Sequence, residues 1–306
     1  MDDQKPTPSR PELGLRLRTT PALRRMLPVR LDVASAELRG GRAWRRNPAA
    51  REDALRATAA IVGASERAGE LESLARRRLI EANLYEVLFW RPWRPPELDE
   101  RSRENLAAAV ARGRGVLLSG CHLGPFFLCM SAVATVHRAP VGMVGPWLLE
   151  QTGGRWGRRT ERWRNGIAQR GELMLPTGGA FERIVALLAQ GELVRVHFDM
   201  PGSVETSFLG KPAELAGGTA RLAKLSEAPV LTIHTRRIGD EVLTSIGAPL
   251  DPRDYPGSRE LHEELARIHE RAILETPEQL EDPNRPGAWA GGATAEVWRR
   301  APADPG

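Results

Sequence analysis

Residues 115–130, GVLLSGCHLGPFFLCM, place a histidine, His122, between two apolar runs. The run GVLLSG predicts a buried strand, and Gly124 with Pro125 predicts a tight exit into a helix that extends to Val136. Ligands gather at the carboxyl ends of strands in α/β folds, and the free N–H groups of a helix N-terminus favour negative charge beside them. His122 is therefore a candidate for a neutral catalytic base, although a structural histidine fits the same position.

The sequence around this segment alternates between short apolar strands and helices. Strands are predicted at 115–120, 140–145, 173–176, 193–199, 229–237 and 241–250, and helices at 125–136, 161–171, 178–191, 217–228 and 258–275. This alternation is typical of an α/β fold in which helices cover a sheet. We predict a mixed sheet flanked by helices.

A helical segment precedes the alternating part. Between residues 50 and 90 apolar residues recur at helical spacing, and residues 100–111 predict one more helix before the first strand. Both ends of the chain are rich in Pro, Gly and Ala, which favours loosely ordered tails. We expect a disordered tail at 1–12, a helical N-terminal segment at 13–112, an α/β core at 113–282 and a flexible tail at 283–306.

The stretch from Gly115 to Val136 has no charged residue other than a possible charge on His122, and it is long enough to cross a bilayer. A strand, turn and helix of a buried core explain it better, because Gly124 and Pro125 interrupt it and a histidine at the membrane centre is costly. The N-terminus lacks the apolar core of a signal peptide, and two cysteines are too few for a disulfide framework. These features favour the cytoplasm.

The chain carries 44 basic and 39 acidic residues, a formal net charge of +5, and nearly all of the basic residues are arginine. A GC-rich genome explains this bias, since Ala, Gly and Pro are also abundant. Attraction to an acidic partner, such as phospholipid, an acidic carrier protein or nucleic acid, explains it equally well. Both explanations stay open.

Several blocks in a fixed order carry a resemblance to a known family. GRGVLLSGCHLGPFFL (113–128) contains His122, and residues 187–237 run through LVRVHFD, FLGKPA and GGTARLA to APV. LIEANLYEVLFW (79–90) and TPEQL (276–280) flank these two stretches. The blocks resemble the bacterial lipid A biosynthesis (lauroyl/myristoyl) acyltransferases, within the lysophospholipid acyltransferase superfamily, over about residues 50 to 280.

The resemblance implies transfer of a fatty acyl group from a thioester, on acyl carrier protein or coenzyme A, to a hydroxyl or amine of a lipid, glycolipid or specialised metabolite. In the family motif, a histidine is followed after four residues by Asp or Glu. The histidine takes the acceptor's proton, and the acid orients the histidine and stabilises its charged form. His122 matches, but Phe127 stands in the place of the acid. No cofactor is expected beyond the thioester as co-substrate.

Asp199, at the end of LVRVHFD, is the candidate for a substitute orienting acid, because it falls at the edge of the sheet where ligands gather. An aspartate that caps the following turn fits the same position equally well. Glu182, Glu205 and a backbone carbonyl are weaker candidates. Loss of an orienting carboxylate costs about 10⁴ in rate without abolishing catalysis, so Phe127 does not exclude an enzyme.

The expected substrate-binding residues are Gly124, Phe126, Phe127, Arg159 and Arg164. The glycine and the helix start after it would stabilise an oxyanion, and the two phenylalanines would line an apolar groove for the acyl chain. The two arginines lie in a stretch with interleaved tryptophans, GGRWGRRTERWRNG (153–166), where the resemblance implies contact with substrate phosphate. A solvated helix face is the alternative for that stretch.

Cys121, beside His122, is an alternative acyl acceptor, but adjacent strand residues point to opposite faces, which favours a small buried cysteine. Four other histidines favour core, edge or helix-face positions and no metal site, because no ligand cluster with metal spacing accompanies them. They are His197, His234, His262 and His269.

We expect an acyltransferase that is peripheral on the inner face of the cell membrane, with an acyl thioester donor and a lipid or glycolipid acceptor. A non-catalytic descendant that binds lipid or carrier protein is the competing class, and Phe127 is the residue that favours it. Nucleic-acid binding rests only on the Arg and Trp content, and we expect no nucleic-acid partner.

Overall fold

The computed structural model describes residues 26–89, 95–144, 174–176 and 179–280. The helices of these residues are α1 (Val29–Arg46), α2 (Pro48–Val62), α3 (Leu71–Phe89), α4 (Glu100–Val110), α5 (Cys129–Val133), α6 (Phe181–Ala189), α7 (Gly218–Ser226) and α8 (Ser258–Glu275). The strands are β1 (Glu97–Leu98), β2 (Val116–Gly120), β3 (Val141–Val144), β4 (Met174–Pro176), β5 (Leu193–His197), β6 (Pro201–Phe208), β7 (Lys211–Leu215), β8 (Val230–Ile238) and β9 (Glu241–Ile246).

Seven of these strands form one sheet in the order β1-β9-β8-β2-β5-β3-β4. Neighbouring strands are parallel except β8 and β9, which are antiparallel. The predicted α/β fold with a mixed sheet and a helical N-terminal segment is confirmed. The domain boundaries stay a prediction, and the two tails and the helix predicted at 161–171 lie outside the described residues. Within the described part of the chain, no helix has the length and apolar character needed to span a bilayer.

β2 lies at the centre of the sheet, and its apolar side chains are buried on both faces. Leu117 belongs to the core on one side, together with Leu261 and Leu265 of α8. Leu118 points to the other side, where it packs with Leu106 of α4 and Met130 of α5. A strand that is buried on both faces reads as a continuous apolar run, which is why this strand is visible in the sequence.

The segment after β2 differs from the long helix predicted from Pro125 to Val136. It forms a 3-10 helix at Phe126–Leu128 and then the short α5. Gly124 has φ +58°, and a side chain there would overlap the carbonyl oxygen of Thr235. This tight crossing of β8 requires glycine, and it delays the start of the α-helix.

β6 and β7 form a separate antiparallel hairpin that the sequence patterns did not predict. Its turn is Leu209-Gly210, where both residues have positive φ. The Leu209 N–H donates to Glu270 of α8 at 3.0 Å, which fixes the turn against the core. The signal was missed because the strands are largely exposed and a Leu-Gly turn is not a usual hairpin sequence.

Candidate active site

His122 and Asp199 meet at the carboxyl edge of the sheet. β2 ends at Gly120 and the parallel β5 ends at His197, which is the register partner of Gly120. Each of the two candidate residues follows the end of its strand by two positions, so the fold brings them to one point. The His122 N–H donates to Asp199 Oδ2 at 2.9 Å, and His122 Nδ1 lies 3.0 Å from Asp199 Oδ1. The predicted base and the predicted substitute acid are therefore in direct contact.

Asp199 is buried, and the residue before it holds it in place. The N–H of Phe198 donates to the carbonyl oxygen of Gly120 at 2.7 Å, which extends the pairing of β5 with β2 past the strand end. The Phe198 ring is fully buried and stacks on His269 of α8 at 4.8 Å. Because successive side chains alternate, Phe198 enters the core while Asp199 turns towards His122.

The hydrogen bonds define which nitrogen of His122 is available. An ionised carboxylate only accepts hydrogen bonds, so the Nδ1 of His122 carries the proton that faces Asp199. The lone pair is then on Nε2, which is the nitrogen that can take a proton from a substrate. The side chain of His122 is 15% exposed, so solvent and substrate can reach it. This is the geometry of an oriented general base.

Aromatic rings surround the histidine. The Phe126 ring meets the His122 ring edge-on at 4.8 Å. Phe127, at the position of the family acid, makes an edge contact with Tyr85 of α3 at 5.5 Å. Position 127 therefore joins the helical N-terminal segment to the site. Both phenylalanines are half-buried, as a groove wall would be.

Two residues that the sequence interpretation did not assign to the site, Arg195 and His197, lie beside it. The His197 ring is parallel to the His122 ring, with 3.9 Å between centroids and 10° between planes. Arg195 Nη1 lies 2.8 Å from His197 Nε2. Their pattern, Arg-x-His-x-Asp, was the available signal, because alternate residues of β5 and its extension share one face of the sheet.

His122, His197 and Asp199 have ligand atoms within 4.8 Å of one another, close enough to consider a metal ion. The described geometry does not suit one. The two imidazole planes are parallel, so their lone pairs do not converge, and the Arg195 donor requires His197 Nε2 to accept. That bond leaves the proton on His197 Nδ1, the nitrogen that faces the carboxylate. The arrangement supports a hydrogen-bonded group rather than a metal centre.

Gly124 was expected to help stabilise an oxyanion, and its role in substrate binding stays a prediction. Its N–H donates to the carbonyl oxygen of Gln279 at 2.8 Å, so it is not available to an oxyanion. The 3-10 helix that follows likewise replaces the helix N-terminus that was expected to supply donors. Glu182 and Glu205 are exposed on α6 and β6. Arg159 and Arg164 lie outside the described residues.

Cys121 is fully buried, and burial raises the pKa of its thiol well above the usual value. A thiolate nucleophile is therefore disfavoured, and the interpretation as a small core residue fits the structure. Cys129 is buried in the core on the other side of the sheet.

A second polar cluster lies inside the core on the opposite face of the sheet from Arg195. His269 Nε2 lies 2.9 Å from the Ser119 hydroxyl, and His269 Nδ1 lies 2.8 Å from His234 Nε2. Burial lowers the pKa of His234 well below its usual value and that of His269 to about 4. Both imidazoles are therefore neutral at neutral pH, and they hold β2, β8 and α8 together under the site.

The model of the bacterial lipid A biosynthesis acyltransferase family matches residues 72–280. The chain belongs to this family. Membership supports an enzyme of the acyltransferase class, with an acyl donor and a lipid acceptor as its substrates. Among solved structures, the chain is similar to the 1-acyl-sn-glycerophosphate (LPA) acyltransferase PlsC from Thermotoga maritima, at 15% identity and a TM-score of 0.40, over 69% of this chain and 82% of that chain. No curated protein sequence matches the chain significantly. In this member of the lipid A acyltransferase family, Phe127 follows His122 by five positions and His122 contacts Asp199.

Proposed function

We propose that this family member moves a fatty acyl group from a thioester, on acyl carrier protein or coenzyme A, to a hydroxyl or amine of a lipid, glycolipid or specialised metabolite. His122 is the general base and Asp199 the orienting acid. The observation that supports the proposal is the pair of hydrogen bonds from His122 to Asp199, a carboxylate that follows β5 and could serve in place of the acid that position 127 lacks.

The reaction follows from the proton positions. The acceptor's hydroxyl or amine gives its proton to His122 Nε2 as its oxygen or nitrogen attacks the thioester carbonyl carbon. The tetrahedral intermediate then expels the thiolate, which takes the proton from the imidazolium and leaves as the free thiol. Asp199 holds the ring in the productive tautomer and stabilises the imidazolium while it exists.

The substrate contacts are proposed from the surroundings of the base. Phe126, Phe127 and Tyr85 form an aromatic wall against which an apolar acyl chain could lie. Arg159 and Arg164 are proposed to bind substrate phosphate, and the enzyme is proposed to act at the inner membrane surface. No cofactor, metal ion or nucleic acid enters the mechanism.

Release of free thiol from acyl thioesters tests the proposal without knowledge of the acceptor. Purified protein would be incubated with long-chain acyl-coenzyme A and acyl carrier protein, and hydrolysis to water would be followed. We expect slow release that His122→Ala abolishes and that Asp199→Asn lowers by about 10⁴-fold, to near the detection limit. Asp240→Asn, which removes a carboxylate at the exposed β8–β9 turn, is the matched control and should retain the wild-type rate. Equal rates for wild type and His122→Ala on every donor would contradict the proposal.

The alternative is a protein that binds acyl chains or carrier protein without transfer, and Phe127 is the specific observation in its favour. It predicts tight, stoichiometric binding of acyl thioester with no thiol release by wild type. Native mass spectrometry of the protein with acyl-coenzyme A distinguishes the two functions, because an enzyme converts the bound donor and a binding protein retains it.

A further inference from the structure

The guanidinium of Arg195 is buried close to the proposed base, next to His197. Arg195 is in the middle of β5, 5% exposed, and its register partner on β2 is the apolar Leu118. Its Nε has no hydrogen-bond partner among the described residues, and its charge lies 5.5 Å over the Phe126 ring. A buried arginine stays charged and is costly unless it is paired, so a merely structural role would be better served by an apolar side chain.

The contact of Arg195 with His197 fixes the proton of that histidine. An arginine has only donors, so His197 Nε2 must accept, and the proton of the neutral ring is on Nδ1. His197 Nδ1 lies 3.9 Å from Asp199 Oδ1, the oxygen that also faces His122 Nδ1. A second proton on His197 would have to occupy the nitrogen that the guanidinium already approaches. The guanidinium therefore keeps the histidine in its neutral form.

The neutral His197 ring closes one face of His122. The two rings are parallel at 3.9 Å, and Phe126 meets both of them edge-on, at 4.8 Å from His122 and 5.2 Å from His197. A ring that is covered on one face, held at one edge and hydrogen-bonded at Nδ1 cannot rotate without breaking several contacts. Its Nε2 consequently points in one direction.

We infer that Arg195 and His197 are a positioning pair for His122: the arginine holds His197 neutral, and the stacked ring fixes the plane of the base. This inference rests on the proposed function of His122. A neutral neighbour can stack on the imidazolium that forms during the reaction, whereas a charged one would oppose it. The pair acts through the base and touches no substrate.

Steady-state kinetics of thioester hydrolysis test the pair. His197→Ala should lower kcat by about 10²-fold with an unchanged KM for acyl-coenzyme A, because a misaligned base loses rate and not donor binding. The double variant Arg195→Met with His197→Phe restores an aromatic ring and removes the buried charge, so it should recover most of the lost kcat. His137→Ala, which removes a half-buried histidine after α5, is the control and should keep the wild-type kcat. An unchanged kcat in His197→Ala, or a double variant as slow as His197→Ala, would overturn the inference.

Nuclear magnetic resonance of ¹⁵N-histidine protein gives a readout that does not depend on turnover. In the wild type we expect His197 to be protonated at Nδ1 and unprotonated at Nε2. In Arg195→Met the proton should move to Nε2, which is the tautomer that free histidine favours. A wild-type His197 with the proton on Nε2 would overturn the inference. If wild type releases no thiol at all, the proposed function fails, and this spectrum still decides whether Arg195 sets the proton of His197.

Discussion

At the scale of single residues, the proposed orienting acid of His122 comes from a distant part of the chain. The family motif takes its acid from five positions after the histidine, whereas here the carboxylate comes from 77 positions further on. On the proposed function, Asp199 takes the role of the acid that is missing at Phe127, because it contacts both the N–H and the Nδ1 of His122. The proposal therefore places the support of His122 on the residue that follows β5, and not on the segment that follows β2.

An acid restored at position 127 should not take over from Asp199. Phe127 packs edge-on to Tyr85, so a carboxylate there would lie against an aromatic ring. We expect the double variant Asp199→Asn with Phe127→Asp to hydrolyse acyl-coenzyme A as slowly as Asp199→Asn alone. Recovery of the rate would show that the loop at 124–128 can rearrange to the family geometry.

The two cysteines should be unreactive in the folded protein. Both are buried, and burial raises the pKa of the Cys121 thiol. Titration with a thiol-specific disulfide reagent should therefore detect neither cysteine in native protein and both after denaturation. Cys121→Ala should keep the rate of thioester hydrolysis. Rapid labelling of native Cys121, with loss of activity in Cys121→Ala, would instead support a covalent acyl intermediate.

At the scale of elements, β5 shows what the sequence could and could not predict. Its apolar run predicted a buried strand over 193–199, and the structure confirms a strand at Leu193–His197. The structure also places Asp199 3.0 Å from His122, while the orienting role of Asp199 stays a proposal. The roles of Arg195 and His197 could not be predicted, because period-two alternation fixes which residues share a face but not which neighbouring strand that face meets. Only the parallel register with β2 places His197 beside His122.

Helices could be predicted where the apolar spacing was regular. The prediction failed where a tertiary contact determined the backbone conformation. α8 begins and ends at the residues predicted, Ser258 and Glu275. The helix predicted from Pro125 failed, because the crossing of Gly124 over Thr235 is a tertiary constraint with no pattern in the sequence. The same limit applies to the oxyanion role expected for Gly124, whose N–H is taken by a residue 155 positions away.

The buried histidines that join α8 to the sheet predict an acid-sensitive fold. Burial lowers the pKa of His269 from 6.5 to about 4, so the folded state resists a proton that the unfolded state accepts. Stability from this residue is complete above pH 6.5 and is lost as the pH falls towards 4, by about 3 kcal/mol in all. His234 and Ser119 form hydrogen bonds with it. Of the charged groups nearby, Asp199 raises its pKa and His262 lowers it.

Urea unfolding between pH 7 and 4 measures this effect. The free energy of unfolding of wild type should fall more steeply with acid than that of His269→Gln, whose amide can still form hydrogen bonds but does not titrate. His269→Gln should be less stable than wild type at pH 7, and the difference should narrow as the pH approaches 4. If the free energy of unfolding fell equally with acid in the two proteins, His269 would titrate normally in the fold.

At the scale of the whole molecule, the helices that precede the family match expose apolar and basic side chains. The family match begins at residue 72, within α3, so α1 and α2 lie before it. α1 turns Asp32, Ala36 and Gly40 inward and leaves Leu31 and Leu38 exposed, at 51% and 73%. The exposed positions of the same helix also include Arg30, Arg42, Arg45 and Arg46. Apolar side chains flanked by arginines are typical of a helix that lies on an anionic lipid surface.

The proposed action at a membrane therefore predicts that α1 binds anionic vesicles. Wild type should sediment with phosphatidylglycerol vesicles and less with phosphatidylcholine vesicles, and added salt should weaken binding because it screens the arginines. Leu31→Asp with Leu38→Asp should lower the affinity by at least about tenfold, since each leucine buries apolar area in the interface. Leu225→Asp, at a 62% exposed position on α7, is the matched control and should bind as wild type does. An equal loss of vesicle affinity in the control and in the α1 variant would assign the binding to net charge. An unchanged affinity in the α1 variant would place the lipid contact elsewhere on the molecule.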